Sequence, residues 1–210
     1  MLQGAEMVGL LSNFRNTFIV SFVLALVIIF GFGHSPHGFD SAYFQAVFRW
    51  LHVFFGILWI GLLYYFNFVQ IRMMPQIPAE LKPAVSKYIA PEALFWFRWA
   101  ALATWVMGIV LAFSRGYLAE AATLGLWGGY EKGVDMGFTF IGLGMWLATI
   151  MFINVWGVIW PNQKRALGIV EADADTKAKA AKMAMLFSRI NTLLSLPMLA
   201  TMAMYQTLFG

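Results

Sequence analysis

Apolar residues fall into five runs, at 17–33, 48–71, 94–113, 136–160 and 187–209, separated by short polar connections. Each run is near the roughly 20 residues that a membrane-crossing helix needs. Hydrocarbon offers no partner to an open backbone, so the runs read as helices. Barrel strands would instead alternate apolar and polar positions. The connections carry helix-breaking residues: Ser35 and Pro36, then Pro75, Pro78 and Pro83, then Gly128, Gly129 and Gly133, and lastly the charged run Glu171 to Lys182. The expected fold is all-α, an integral membrane bundle of five transmembrane helices forming a single membrane domain over 1–210. No A-x-A-like cleavage site follows the first run, which therefore reads as a retained helix and not a signal peptide.

Composition strengthens this reading. The chain is 61% hydrophobic and 11% charged, with a mean hydropathy of +0.73, against about 45–50% apolar and about a quarter charged for soluble domains. A soluble enzyme, a disordered chain and a nucleic-acid-binding domain are all excluded on that ground. The net charge of +4 sits in loops between apolar runs, so no nucleic-acid partner is expected. Without cysteine there is no disulfide, thiolate metal site, iron–sulfur cluster or covalently attached c-type haem. No phosphate-binding loop, dinucleotide fingerprint or HExxH motif occurs, and no metal site is expected.

Lys and Arg give the orientation. Arg15, Arg72, Lys82, Lys87, Lys164, Arg165, Lys177, Lys179, Lys182 and Arg189 fall on one side, and only Arg115 and Lys132 on the other. A bacterial inner membrane protein is expected, with a cytoplasmic N-terminus and a periplasmic C-terminus. The segment 172–182 should extend the last span as a helix. Trp127, Tyr130, Trp160 and Tyr205 stand where interfacial aromatic anchors belong.

Function in such a chain concentrates in the polar groups that hydrocarbon penalises. In the second span Arg49, His52, Gly56, Trp59, Leu63, Asn67 and Gln70 recur at steps of three or four, within one helical stripe. That stripe must face other helices or a wet interior. Asn67 and Gln70 serve either interhelical hydrogen bonding or an internal site. His52 is either a hydrogen-bonded packing residue or an axial ligand to the iron of haem b. A second ligand would come from His34 or His37, just before this span. Arg98, within Trp96-Phe97-Arg98-Trp99, either snorkels to headgroups or aims at an anion between indoles. Asn154 in the fourth span and Asn191 in the fifth complete the candidate internal polar site. Pro161 is expected to end the fourth helix, leaving carbonyls for Asn162, Gln163 or Lys164 to cap. Pro197 removes a backbone hydrogen bond near mid-membrane and should bend the fifth helix, with Thr192 and Ser195 placed to restore the freed groups.

Five motifs occur in order: Arg49-Trp50-Leu51-His52-Val53; the run from Trp59 to Gln70; Trp96-Phe97-Arg98-Trp99; Asn154-Val155-Trp156 with Ile159-Trp160-Pro161-Asn162-Gln163-Lys164; and Asn191-Thr192-Leu193-Leu194-Ser195-Leu196-Pro197-Met198. Together they resemble the membrane-embedded N-terminal domain of the bacterial urate hydroxylases, also called membrane urate oxidases, from about Asp40 to Thr201. In that family a C-terminal cytochrome c domain typically follows. The resemblance implies oxidation of urate, hence purine catabolism, coupled to electron transfer. This chain has no cysteine and ends at Gly210, so a separate cytochrome c is expected to take the electrons.

Two functions follow as expectations. The first is a urate-hydroxylase-like membrane redox protein, with haem b as candidate cofactor and Arg49, Asn67, Gln70, Arg98, Asn154 and Asn191 around a polar interior. The second is a non-catalytic accessory subunit of a larger respiratory, photosynthetic or oxidase complex. The lipid bilayer is a partner in both.

Overall fold

A computed structural model describes residues 9–33, 38–126 and 133–209. Five helices in it are long and apolar enough to cross a membrane: α1 Phe14–Phe32, α2 Ser41–Gln76, α3 Lys82–Ser114, α5 Met136–Ala166 and α6 Ala174–Phe209. A short helix, α4 Leu118–Ala122, lies between α3 and α5. The long helices overrun the apolar runs at their polar ends, because charged turns continue a helix in water once a span has nucleated it.

The chain divides into two compact units, Met1–Val47 and Phe48–Gly210. In the first, Asn13 caps α1 through its side-chain oxygen, which accepts from the Asn16 N–H, and no residue of α1 is buried. The Tyr43 hydroxyl donates to the Ile29 carbonyl at 3.4 Å, and its ring meets Phe39 edge-on at 4.9 Å.

The second unit holds the core. Trp59 and Leu63 on α2 pack with Phe97 and Ala101 on α3, Met151 and Val155 on α5, and Met198 on α6. Helices α5 and α6 form the closest helix pair. Gly144 explains the approach: a Cβ there would collide with Thr201 on α6. Gly142 likewise leaves room for the Ala121 carbonyl of α4.

Three helices contain π-helical turns, at Tyr65–Gln70, Val85–Ile89 and Asn154–Ile159. They cluster at the end of the bundle that carries the 77–81 and 167–173 connections. Pro91 and Pro161 each stand two residues beyond such a turn. Each proline thereby occupies the first turn of a renewed α-helical segment, where a missing N–H costs least. The expected stop at Pro161 is thus corrected: α5 runs through it to Ala166. Asn162 does donate to a carbonyl, that of Val158, at 2.8 Å. Pro197 lies inside α6, as the span reading expected. Thr192 and Ser195 bond back to the carbonyls of Ser188 and Thr192, not to the Leu193 carbonyl four residues before Pro197. At its start, α6 is capped by Asp173, whose carboxylate accepts from the Thr176 N–H at 2.7 Å and the Thr176 hydroxyl at 2.9 Å.

Candidate functional site

A cavity of about 630 Å³ lies among α2, α3, α5 and α6. That is within the roughly 300–1,000 Å³ range of small-molecule and cofactor sites. Its wall is mainly apolar, including Ile57, Ile60, Leu111, Met145, Met198 and Met202. Most of the polar groups gather toward one end, among them Arg49, His52, Arg115, Tyr117, Tyr205 and Gln206.

Helix geometry delivers these groups. Arg49, His52, Gly56 and Trp59 rise along one face of α2, and all four line the cavity. The His52 Nδ1 lies 2.9 Å from the backbone carbonyl of Thr104. A carbonyl only accepts, so Nδ1 carries the proton, and the neutral ring keeps its lone pair on Nε2. No side chain or backbone group among the described residues bonds to that Nε2. Gly108, four residues after Thr104, makes room for the ring: a Cβ there would stand 3.0 Å from the imidazole Cε1.

At the polar end the Arg49 Nη1 donates to the Gln206 side-chain oxygen at 2.6 Å. The Arg115 guanidinium lies 5.9 Å from the Tyr117 ring centre. No carboxylate among the described residues pairs with either arginine. Burial raises the Tyr117 hydroxyl above its ordinary pKa, while Arg115 and, more weakly, Arg49 pull it back and Tyr205 pushes it up. The mouth is therefore positive, with phenol and carboxamide groups beside two cations that have no carboxylate partner among the described residues. At the far end the Tyr64 hydroxyl meets the Ser195 hydroxyl at 3.0 Å; the Ser195 proton goes to the Thr192 carbonyl, so Tyr64 donates.

The expected polar residues do not converge on one place. Arg49 and His52 line the cavity, whereas Asn67 and Gln70 lie in the π turn at the other end of α2. The Asn67 amide donates to the Leu63 carbonyl and the Ser188 hydroxyl, both at 2.9 Å. Asn154 donates to Asn191 at 2.9 Å, and Asn191 donates to the Met151 carbonyl at 3.0 Å, a closed pair joining α5 to α6. Arg98 stacks over Trp160, 3.9 Å from the ring centre, and bonds the Leu94 carbonyl. Glu92 accepts from Trp96 and leaves Arg98 alone. His34, His37, Trp127 and Tyr130 lie outside the described residues.

Arg115, Tyr117, Tyr205 and Gln206 were not foreseen as site residues. They sit just past the end of α3 or near the end of α6, and only tertiary packing assembles them. Thr104 and Gly108 carried a faint signal, as small residues one turn apart within a span.

Fold and site together define an all-α protein with five helices long and apolar enough to cross a membrane, and a cavity among four of them with one cationic end. A family model described as "Urate oxidase N-terminal" matches residues 134–209. The matched stretch holds α5 and α6, with Asn154, Pro161 and Asn191, and relates this part of the chain to the urate oxidases. No curated protein and no solved structure matches the chain.

Proposed function

We propose that this chain is a urate-oxidase-like redox protein, or redox subunit, of the bacterial inner membrane, and that its cavity binds haem b through His52. The carrying observation is the imidazole itself, on a residue that lines the cavity, held through Nδ1 at 2.9 Å on the Thr104 carbonyl with no partner to Nε2 among the described residues. Metal-ligating histidines characteristically fix their second ring nitrogen in this way.

The other lining residues suit the same group. A flat apolar macrocycle with carboxylates on one edge fits apolar walls and a cationic mouth, where Arg49 and Arg115 would hold the carboxylates. Haem supplies one-electron redox chemistry that no side chain in this chain provides. Met145, Met198 and Met202 also line the cavity, and their thioethers could supply a further ligand to the iron. The protein's part is to fix the imidazole, neutralise the carboxylates and exclude water from the apolar end.

Kinship with the urate oxidases supports urate, a planar anion, as electron donor. The excess of Lys and Arg at the opposite end supports a periplasmic mouth and a cytoplasmic N-terminus. The test is native purification from membranes with an absorption spectrum and subunit identification. A reducible b-type spectrum with bound haem near one per chain is expected. A colourless chain recovered only inside a stoichiometric complex would overturn the redox reading in favour of an accessory subunit.

A further inference from the structure

Several cavity-lining residues are also exposed on the outside of the bundle. Val53, Ile57 and Gly61 form one such stripe on α2, and Leu199 and Ala203 form a facing one on α6. A residue that lines a cavity and is also open to the exterior marks an opening. Ile57 is 70% exposed and Val53 50%. The α2 and α6 backbones do not pack closely along this stretch. They are joined across it at two places, by Arg49–Gln206 at one end and Tyr64–Ser195 at the other. Small residues keep the slot clear: a Cβ on Gly61 would meet nothing within 4 Å.

The slot lies at hydrocarbon depth. At 1.5 Å per residue, Ile57 stands about 12 Å and Gly61 about 18 Å along α2 from Arg49, in a layer about 30 Å thick. Its rim is wholly apolar, so no water-soluble carrier can use it. A carrier dissolved in the bilayer can.

We propose that this slot admits an isoprenoid quinone from the bilayer, and that the quinone is the electron acceptor of the cavity. The inference rests on the redox reading above and names its partner. A quinone matches both parts of the opening, an apolar tail for the Val53–Ile57–Gly61 rim and ring carbonyls to accept from a donor such as the Trp59 indole N–H, which belongs to a cavity-lining residue and has no partner among the described residues. The step balances: the quinone would take up two electrons, one after each of two successive one-electron reductions of the cofactor at His52 by the electron donor, and two protons from solvent at the Arg49 mouth, giving the quinol.

The test uses Gly61→Trp and Ala203→Trp, which plug the slot, with Leu193→Trp as a control on an exposed site of α6 outside the lining. Dithionite-reduced protein is mixed with decylubiquinone or with ferricyanide. The proposal expects quinone reoxidation to fall at least tenfold in both plugged variants and stay unchanged in Leu193→Trp. Ferricyanide reoxidation and the reduced spectrum should not change in any of them. Equal quinone rates in plugged and unplugged proteins would overturn it. If the protein carries no haem, the redox reading fails by itself, and photolabelling with an azido-quinone tests the slot separately. Labels on the α2 and α6 rim, displaced by unlabelled decylubiquinone and lost in Gly61→Trp, would uphold the quinone site. Labelling that phospholipid displaces and quinone does not would show an acyl-chain groove instead.

Discussion

The His52 ring nitrogen Nδ1 lies 2.9 Å from the Thr104 backbone carbonyl, with Gly108 one turn further along α3 kept bare where a methyl group would press on the ring. A backbone partner cannot be removed by mutation, but the gap at Gly108 can be filled. Gly108→Ala should displace the imidazole and weaken haem retention by about 10–100-fold, as loss of ligand orientation does elsewhere. Haem transfer to apomyoglobin measures this. Retention equal to wild type would mean that the ring's position does not matter to binding.

Arg49 and Arg115 have no carboxylate partner among the described residues, so each is available to an anion. Arg49→Gln or Arg115→Gln should each speed haem loss about tenfold or more, given about 1.5–3 kcal/mol for a charge-assisted hydrogen bond. Arg49→Lys keeps the charge but not the planar fork and should be intermediate. Loss rates independent of both charges would place the carboxylates elsewhere.

The Asn154–Asn191 pair is structural. Asn191 is fully buried and both gives and receives a hydrogen bond. Asn191→Leu should lower stability by about 1–3 kcal/mol by stranding the buried Asn154 amide. Adding Asn154→Leu should recover part of that loss, because a buried pair removed together leaves fewer unmatched groups. Thermal unfolding in detergent of the two single variants and the double variant gives the coupling. Strict additivity would contradict the pairing.

Asp173 supplies an acid-dependent element. The Thr176 backbone N–H and hydroxyl hold its carboxyl below the ordinary range, against a weak opposing effect of burial. A depressed folded pKa adds stability above the unfolded value, and that stability is lost as pH falls through the folded value. Acidification below the ordinary carboxylate range should therefore fray the start of α6, seen as faster amide exchange at Thr176 and Lys177. Asp173→Asn should exchange faster at neutral pH and respond less to acid. An unchanged acid response in that variant would remove Asp173 as the cause.

Much of the fold was legible because hydrocarbon imposes a length on every span. All five long helices were expected from apolar run length alone, as was the helical extension before the last span. The π turns were not, since no residue type marks them; they show afterwards in Pro91 and Pro161, which sequence rules read as stops. The α2 stripe was legible as one face, and Trp59 and Leu63 on it are buried. What periodicity does not reveal is that one stripe more than 30 Å long serves two places. Arg49 and His52 face the cavity, while Asn67 reaches Ser188. Arg98 finds its partner on another helix, in Trp160, beyond the reach of any local pattern.

The role of His52 is tested most directly by His52→Gly with imidazole added back. Wild-type protein should hold about one haem per chain, and His52→Gly should lose it while keeping its helical circular dichroism. Millimolar imidazole should restore a low-spin b-type spectrum in the variant. A folded His52→Gly protein that keeps its haem unchanged, or a wild-type protein that never binds any, would contradict the account.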